Sequence, residues 1–195
     1  MDGAVAALER GDVIVFPTET LYGLGADALN AAAVDQVFEL KGRDRQNPMP
    51  VLIAGEEMLL TVARDIPPLA AKLMSLFWPG PLTIVVPGRG GLPEPLLNQQ
   101  GGIGVRISSH PIATTLVQRL GRPLTATSAN PSRQAPARTI AQAKRYFAGR
   151  IDVFIDGGAL SSKTGSTVVQ VAGNDVKVIR EGEIDAETLR KALES

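Results

Sequence analysis

Short runs rich in valine and isoleucine recur along this chain, and their recurrence constrains the fold more than any other feature. They are Val13 to Phe16, Val51 to Ala54, Leu82 to Val86, Ile103 to Ile107, Val153 to Ile155, Thr167 to Val171 and Val176 to Ile179. Runs of this length, bounded by glycine, proline and polar residues, predict strands. Between several of them the spacing is helical instead: Val34, Val37, Phe38 and Lys41, then Leu69, Leu73, Leu76 and Phe77, then Ile112, Leu116 and Leu120. The fold class is therefore α/β. The last two runs follow one another across Gly173-Asn174, which predicts a hairpin and makes the sheet mixed rather than purely parallel. Asp2 and Asp185 are candidate N-caps, and Gly11 ends the first helix. Pro87 to Gly104 is the longest irregular stretch, a loop that could cover a site.

Size and charge narrow the function. At 195 residues with 44% hydrophobic content, the expectation is one domain over 1–195 with a full core. Twenty basic and 20 acidic side chains cancel, so the overall attraction typical of nucleic-acid binders is missing, although a local basic groove is compatible with it. With no cysteine, thiolate zinc sites, disulfides and cysteine nucleophiles are excluded. The N-terminus does not pair a basic stretch with an apolar one, and no run of about 18 apolar residues occurs. A soluble, cytoplasmic protein with no membrane partner is expected.

Several segments carry chemistry. The strand Val13 to Phe16 runs into Pro17-Thr18-Glu19-Thr20-Leu21-Tyr22-Gly23-Leu24-Gly25, a turn offering two hydroxyls, a carboxylate and backbone N–H groups at the end of a strand, where α/β folds bind ligands. A polar turn closed by glycines is the alternative. Lys41 continues the apolar stripe of its helix and so points toward the body of the protein. With Arg43, Arg45 and the following Asn47-Pro48 it forms a cationic group suited to polyphosphate. Cations complementing a helix C-terminus would look the same. Arg106 interrupts an apolar strand and faces away from Ile103, Val105 and Ile107. If buried there it needs an anion, from the protein or a ligand, and its fork suits a carboxylate; a solvent-facing edge residue is the other option. Ser128 and Asn130 fall on one side of a strand end, where they would hydrogen-bond a ligand or form an Asx-type turn before Pro131. Ser166 opens one strand and Arg180 ends another. His110, the single histidine, precedes a proline and reads as a helix N-terminal residue, which argues against Ser-His-Asp and zinc hydrolases. What remains is chemistry run by positioning and by cations.

Taken in order, Pro17-Thr18-Glu19-Thr20-x-Tyr22-Gly23-Leu24-Gly25, Lys41-Gly42-Arg43, Asn47-Pro48, Val105-Arg106, Ser128-Ala129-Asn130, Ser166-Thr167-Val168-Val169 and Arg180 resemble the YrdC-like threonylcarbamoyl-AMP synthases over roughly residues 3 to 183. The resemblance implies a twisted mixed sheet with flanking helices and a concave, positively lined cleft. It implies synthesis of L-threonylcarbamoyladenylate from L-threonine, bicarbonate and ATP with Mg2+, for the threonylcarbamoyl modification of adenosine in tRNA. It assigns Thr20, Arg106 and Ser166 to threonine, and Lys41, Arg43, Asn47, Ser128, Asn130 and Arg180 to ATP, with Lys41 and Arg43 offsetting charge on the phosphates. Hand-over of the product to a tRNA threonylcarbamoyl transferase complex is expected, with possible contact to tRNA or double-stranded RNA. The chain departs from the commoner pattern at Asp44, Leu52, Gly102, Pro131-Ser132-Arg133 and Glu181, and corresponds to the short, single-domain form. The rival is a double-stranded RNA-binding module of the same fold without adenylation activity, which zero net charge and few aromatics weaken.

Overall fold

The computed structural model describes residues 1–173 and 175–194. Helix α1 (Asp2–Arg10) leads to strand β1 (Ile14–Pro17), which turns back at once into β2 (Tyr22–Gly25). Then come α2 (Ala31–Lys41), β3 (Val51–Leu52), α3 (Glu56–Val62), α4 (Pro68–Phe77), β4 (Leu82–Pro87) and β5 (Gly102–Arg106). They are followed by α5 (Pro111–Leu120), β6 (Leu124–Thr125), β7 (Thr127–Ser128) and α6 (Ile140–Phe147). Strands β8 (Val153–Phe154), β9 (Thr167–Ala172) and β10 (Asp175–Arg180) precede α7 (Ala186–Glu194).

Each valine- and isoleucine-rich run forms a strand, and each helical stripe forms a helix. The strands make two mixed sheets rather than one. The smaller has the order β7-β2-β1-β8 and the larger β10-β9-β4-β5-β3-β6. Parallel pairs (β1 with β8, β3 with β5, β4 with β9) sit among antiparallel ones. The split follows from the chain between residues 124 and 128: β6 pairs with β3 in the large sheet, and β7 pairs with β2 in the small one. Ala126 lies at that corner, its N–H bonded to the Pro50 carbonyl at 2.9 Å. Strands β9 and β10 pair antiparallel as expected, while Asn174, named with Gly173 as the crossing of the expected hairpin, lies outside the described residues.

Helix ends follow local chemistry. Gly11 closes α1 at φ 91 in the left-handed region, as its sequence position predicts. Asp2 is not the cap: Met1 holds that position, and Asp2 sits in the first turn, where it pairs with Arg119. That arrangement suits a carboxylate near the positive end of a helix. Asp185 does act as a cap, its Oδ1 accepting from Thr188 N at 2.7 Å. His110 caps α5, Nδ1 accepting from Ile112 N at 3.2 Å. Helices α3 and α6 have no counterpart among the stripes, because each is short and α6 buries only Ala143 and Phe147. No helix among the described residues is long and apolar enough to cross a membrane.

Candidate functional site at the junction of the two sheets

The segment from Pro17 to Gly25 is a tight hairpin rather than an open turn. Thr18 organises it: its Oγ1 donates to the Leu21 carbonyl at 2.8 Å and accepts from the N–H groups of Thr20 and Leu21, both at 3.2 Å. The Thr18 and Thr20 hydroxyls meet at 3.0 Å, a contact in which either can donate. In both cases Thr20 Oγ1 keeps a lone pair for its surroundings. The glycines do not free N–H groups for a ligand. Gly23 and Gly25 belong to β2, paired with Phe16 and Ile14, and a Cβ on Gly25 would stand 2.8 Å from Cε1 of the fully buried Phe16. Glycine is needed there for the close approach of the ring.

At the end of α2 the lysine is buried, as its place on the apolar stripe predicts, at 3% exposure. Its Nζ donates to the carbonyls of Ser128 at 2.5 Å and Asn130 at 2.8 Å. Burial, and then the Arg43 charge, pull the Lys41 ammonium from its ordinary 10.5 down to about 7. Arg43 closes the following loop, with Nε on the Asn47 carbonyl at 2.7 Å and Nη2 on that of Pro48 at 3.0 Å. Arg45 does not join this group. It turns away to pair with half-buried Asp35 at 2.8 Å.

Arg106 is buried, and its protein anion is Glu19, whose Oε1 accepts from Nη1 at 3.0 Å. The other carboxylate oxygen accepts from the hydroxyl of Ser108. Arg180 reaches back from the end of β10 so that Nη2 donates to the carbonyl and the hydroxyl of Ser166, at 2.7 and 3.2 Å. The Ser166 hydroxyl also meets that of Thr83 at 2.9 Å. Burial disfavours the charged form of all three arginines. The second cause is the Arg180 charge for Arg43 and the Arg106 charge for Arg180, whereas for Arg106 the Glu19 charge opposes the shift.

These elements enclose two adjoining cavities at the corner between the sheets. The smaller, of about 140 Å3, brings together Thr20, Arg43, Arg106, Ser128, Ser166 and Arg180. The larger, of about 520 Å3, runs over β4, β5 and β9, and includes Asn47. Arg43, Pro50 and Arg180 line both, so the two guanidinium groups stand at the join. A small space rich in cations and hydroxyls suits a compact anion, and the larger one falls in the size range of organic ligand pockets. Lys41 and Asn130 line neither cavity. Lys41 supports Ser128 and Asn130 from behind, while the Asn130 amide donates to the carbonyls of Pro131 and Gln134, much like the Asx-turn alternative. The Asn130 Oδ1 is buried with no hydrogen-bond partner among the described residues.

Sequence reasoning missed several participants. Thr83 is a polar residue at 1% exposure in the apolar strand β4, the same signal that singled out Arg106. Thr164 lines the smaller cavity from the loop before β9. The long segment before β5 is partly strand, since Pro87 belongs to β4 and Gly102 to Gly104 belong to β5. Its remainder contributes Asn98, Gln99 and Gln100 to the wall of the larger cavity, with Gln100 bonded to Gln170 at 2.8 Å. Amides of this kind suit the edges of a heterocyclic base.

Comparison with known proteins agrees with the motifs. A family model named for Sua5, YciO and YrdC and described as telomere recombination matches residues 6–182. The threonylcarbamoyl-AMP synthase of Thiobacillus denitrificans is 38% identical over 87% of the chain and 90% of its own length. That of Pyrococcus abyssi is 36% identical over 97% of the chain, which spans 56% of that longer relative. The crystal structure of Pyrococcus abyssi Sua5 complexed with L-threonine superposes with a TM-score of 0.93, at 36% identity over 97% of this chain and 56% of that one. The chain belongs to the Sua5/YciO/YrdC family.

Proposed function

We propose that this chain is an L-threonylcarbamoyladenylate synthase, a single catalytic domain that joins L-threonine, bicarbonate-derived CO2 and ATP. The observation that carries the reading is the pair of cavities sharing Arg43 and Arg180. L-Threonine occupies the smaller one, its carboxylate on the Arg106 guanidinium and its amine or hydroxyl within reach of the acceptor lone pair of Thr20. The nucleotide occupies the larger one, its phosphates directed at the join. The relatives named threonylcarbamoyl-AMP synthase and the complex of Pyrococcus abyssi Sua5 with L-threonine support the same activity and threonine as a substrate.

The reaction needs no enzyme nucleophile. The free amine of threonine attacks CO2, forming an N–C bond and losing a proton to give a carbamate. A carbamate oxygen then attacks the α-phosphorus of ATP, and the bond to the bridging oxygen breaks to release pyrophosphate. The chain's contribution is orientation and charge. Arg106 fixes the carboxylate and hence the amine, while Arg43 and Arg180 stabilise negative charge developing at the phosphates. Lys41 holds the carbonyls of Ser128 and Asn130, and through them the wall beside the join. Mg2+ would enter as part of the nucleotide substrate, held by the ATP phosphates, and would add to the charge neutralisation that Arg43 and Arg180 supply. The adenylate is labile and is handed to a tRNA threonylcarbamoyl transferase complex in the cytoplasm.

Incubating the purified chain with ATP, Mg2+, bicarbonate and L-threonine tests this, with pyrophosphate release as the readout. Release that depends on threonine is expected. Its absence refutes the enzyme reading, and salt-sensitive binding of double-stranded RNA without it would favour the RNA-binding module.

A further inference from the structure

One charged side chain beside the smaller cavity has no part in the chemistry above. Glu19 sits in the hairpin turn between β1 and β2, far in sequence from the strand that carries Arg106, yet it grips that arginine on one side and Ser108 on the other. Ser108 is itself fixed. Its Oγ accepts from His110 N at 3.2 Å, and its carbonyl accepts from the Thr114 hydroxyl at 3.0 Å, tying it to the first turn of α5. Arg106 lines the cavity and Glu19 does not, so the carboxylate approaches the guanidinium from outside the ligand space. Among the described residues Glu19 is the sole hydrogen-bond partner of the guanidinium, which leaves its other N–H groups for a ligand.

A planar fork recognises a carboxylate with two parallel hydrogen bonds only when its plane is held. Arg106 has a flexible stem and one anchored nitrogen, and that anchor is Glu19. We propose that Glu19, braced by Ser108, is the positioning residue that sets the plane of the Arg106 guanidinium, and so determines recognition of an α-carboxylate substrate in the smaller cavity. This rests on the reading of that cavity as the amino-acid site. Glu19 could otherwise act through its charge alone, diluting the field of the three arginines. The two roles predict opposite effects. Loss of a diluting charge strengthens binding of a carboxylate, whereas loss of an orienting contact weakens it.

Calorimetric titration with L-threonine and with L-threoninamide, which lacks the carboxylate, separates these outcomes in wild type, Glu19→Ala, Glu19→Gln and Ser108→Ala. Glutamine keeps an oxygen to accept from Arg106 and an N–H to donate to Ser108, without the charge. Glu19→Ala is expected to lose at least about tenfold in threonine affinity, the scale of a hydrogen bond to a charged group. Glu19→Gln is expected to recover most of that loss, Ser108→Ala to fall between, and the ATP affinity to stay within about twofold throughout. Because each variant is measured by binding, a poorly folding Glu19→Ala leaves Ser108→Ala and Glu19→Gln to decide. Equal or tighter threonine binding in the Glu19 and Ser108 variants overturns the proposal while leaving the functional reading intact. A wild type that binds neither threonine nor any carboxylate overturns both.

Discussion

Raising the pH from 6 to 9 is expected to stabilise the folded chain through Lys41. Its ammonium is buried and titrates near 7 when folded, against 10.5 for an exposed lysine. Below pH 7 both the folded and unfolded chains carry the proton, so the group adds no pH dependence, and the cost of the buried charge is present in full. Between 7 and 10.5 the unfolded chain holds a proton that the folded chain has released, so stability rises with pH by up to about 1.4 kcal/mol per unit. Integrated from pH 6 to pH 9, the gain is about 2.5 kcal/mol. Other groups titrate in this range as well, so the quantity to compare is wild type minus Lys41→Met, a variant of similar length without the charge. Urea unfolding at 25 °C at pH 6, 7, 8 and 9 gives both curves. The difference should rise monotonically toward pH 9. A difference flat within about 0.5 kcal/mol, comparable to the uncertainty of such extrapolations, would refute the reasoning. It would mean that the Ser128 and Asn130 carbonyls, which favour the charged form, hold the ammonium protonated throughout the range.

Other outcomes follow from the same contacts. ATP at a hundred times its dissociation constant, without bicarbonate, adds about 2.7 kcal/mol to the folded state, a rise in melting temperature of about 5–11 °C for a chain of this size; Arg180→Gln, which removes a charge at the join of the cavities, should cut that rise by more than half in a thermal melt. Gly182→Ala should destabilise by about 1–3 kcal/mol in urea and lower activity, because its Cβ would stand 2.4 Å from the Gly165 carbonyl oxygen and 2.5 Å from the Ser166 carbonyl carbon. Tyr22→Phe should cost about 1 kcal/mol and speed amide exchange around Gly157 and Gly158, since the phenol accepts from Gly157 N at 2.9 Å and donates to the Gly158 carbonyl at 2.7 Å.

The parts of this fold that were legible in the sequence are those decided by local composition. A run such as Leu82 to Val86 has little choice but to be a buried strand, and the stripe through Val34, Val37 and Phe38 little choice but to be a helix face. Strand β2 was illegible because Tyr22–Gly25 contains no β-branched residue. Its strand state is imposed by pairing with β1 and by the Phe16 ring that needs Gly25 opposite it. The site divides in the same way. A buried Arg106 in need of an anion was one of two readings its strand allowed, the other being a solvent-facing edge residue; that Glu19 supplies the anion could not be read, because only the tertiary fold brings two such distant residues together. Alternation along the strand placed Ser128 and Asn130 on one side, but the bond from Asn130 to the Gln134 carbonyl turns its amide into the local loop.

The position of the three arginines has a consequence of its own. They come from the loop after α2, and from β5 and the end of β10 in the large sheet, and they converge where the small sheet turns away. Within a single continuous sheet, residues on neighbouring strands would present their side chains to one flat face and to solvent; the corner at Ala126 makes a recess instead. Arg43, Arg106 and Arg180 are held in that recess by backbone carbonyls, by Ser166 and by one carboxylate, so positive charge exceeds negative there. Like charges gathered in a partly dry space raise the free energy of the empty fold and lower it again when an anion enters. Substrate affinity and resting stability are thus opposed at this junction. Neutralising Arg43 or Arg180 should therefore weaken ATP binding while relieving repulsion in the nucleotide-free fold, two opposite effects that paired melts with and without nucleotide measure directly.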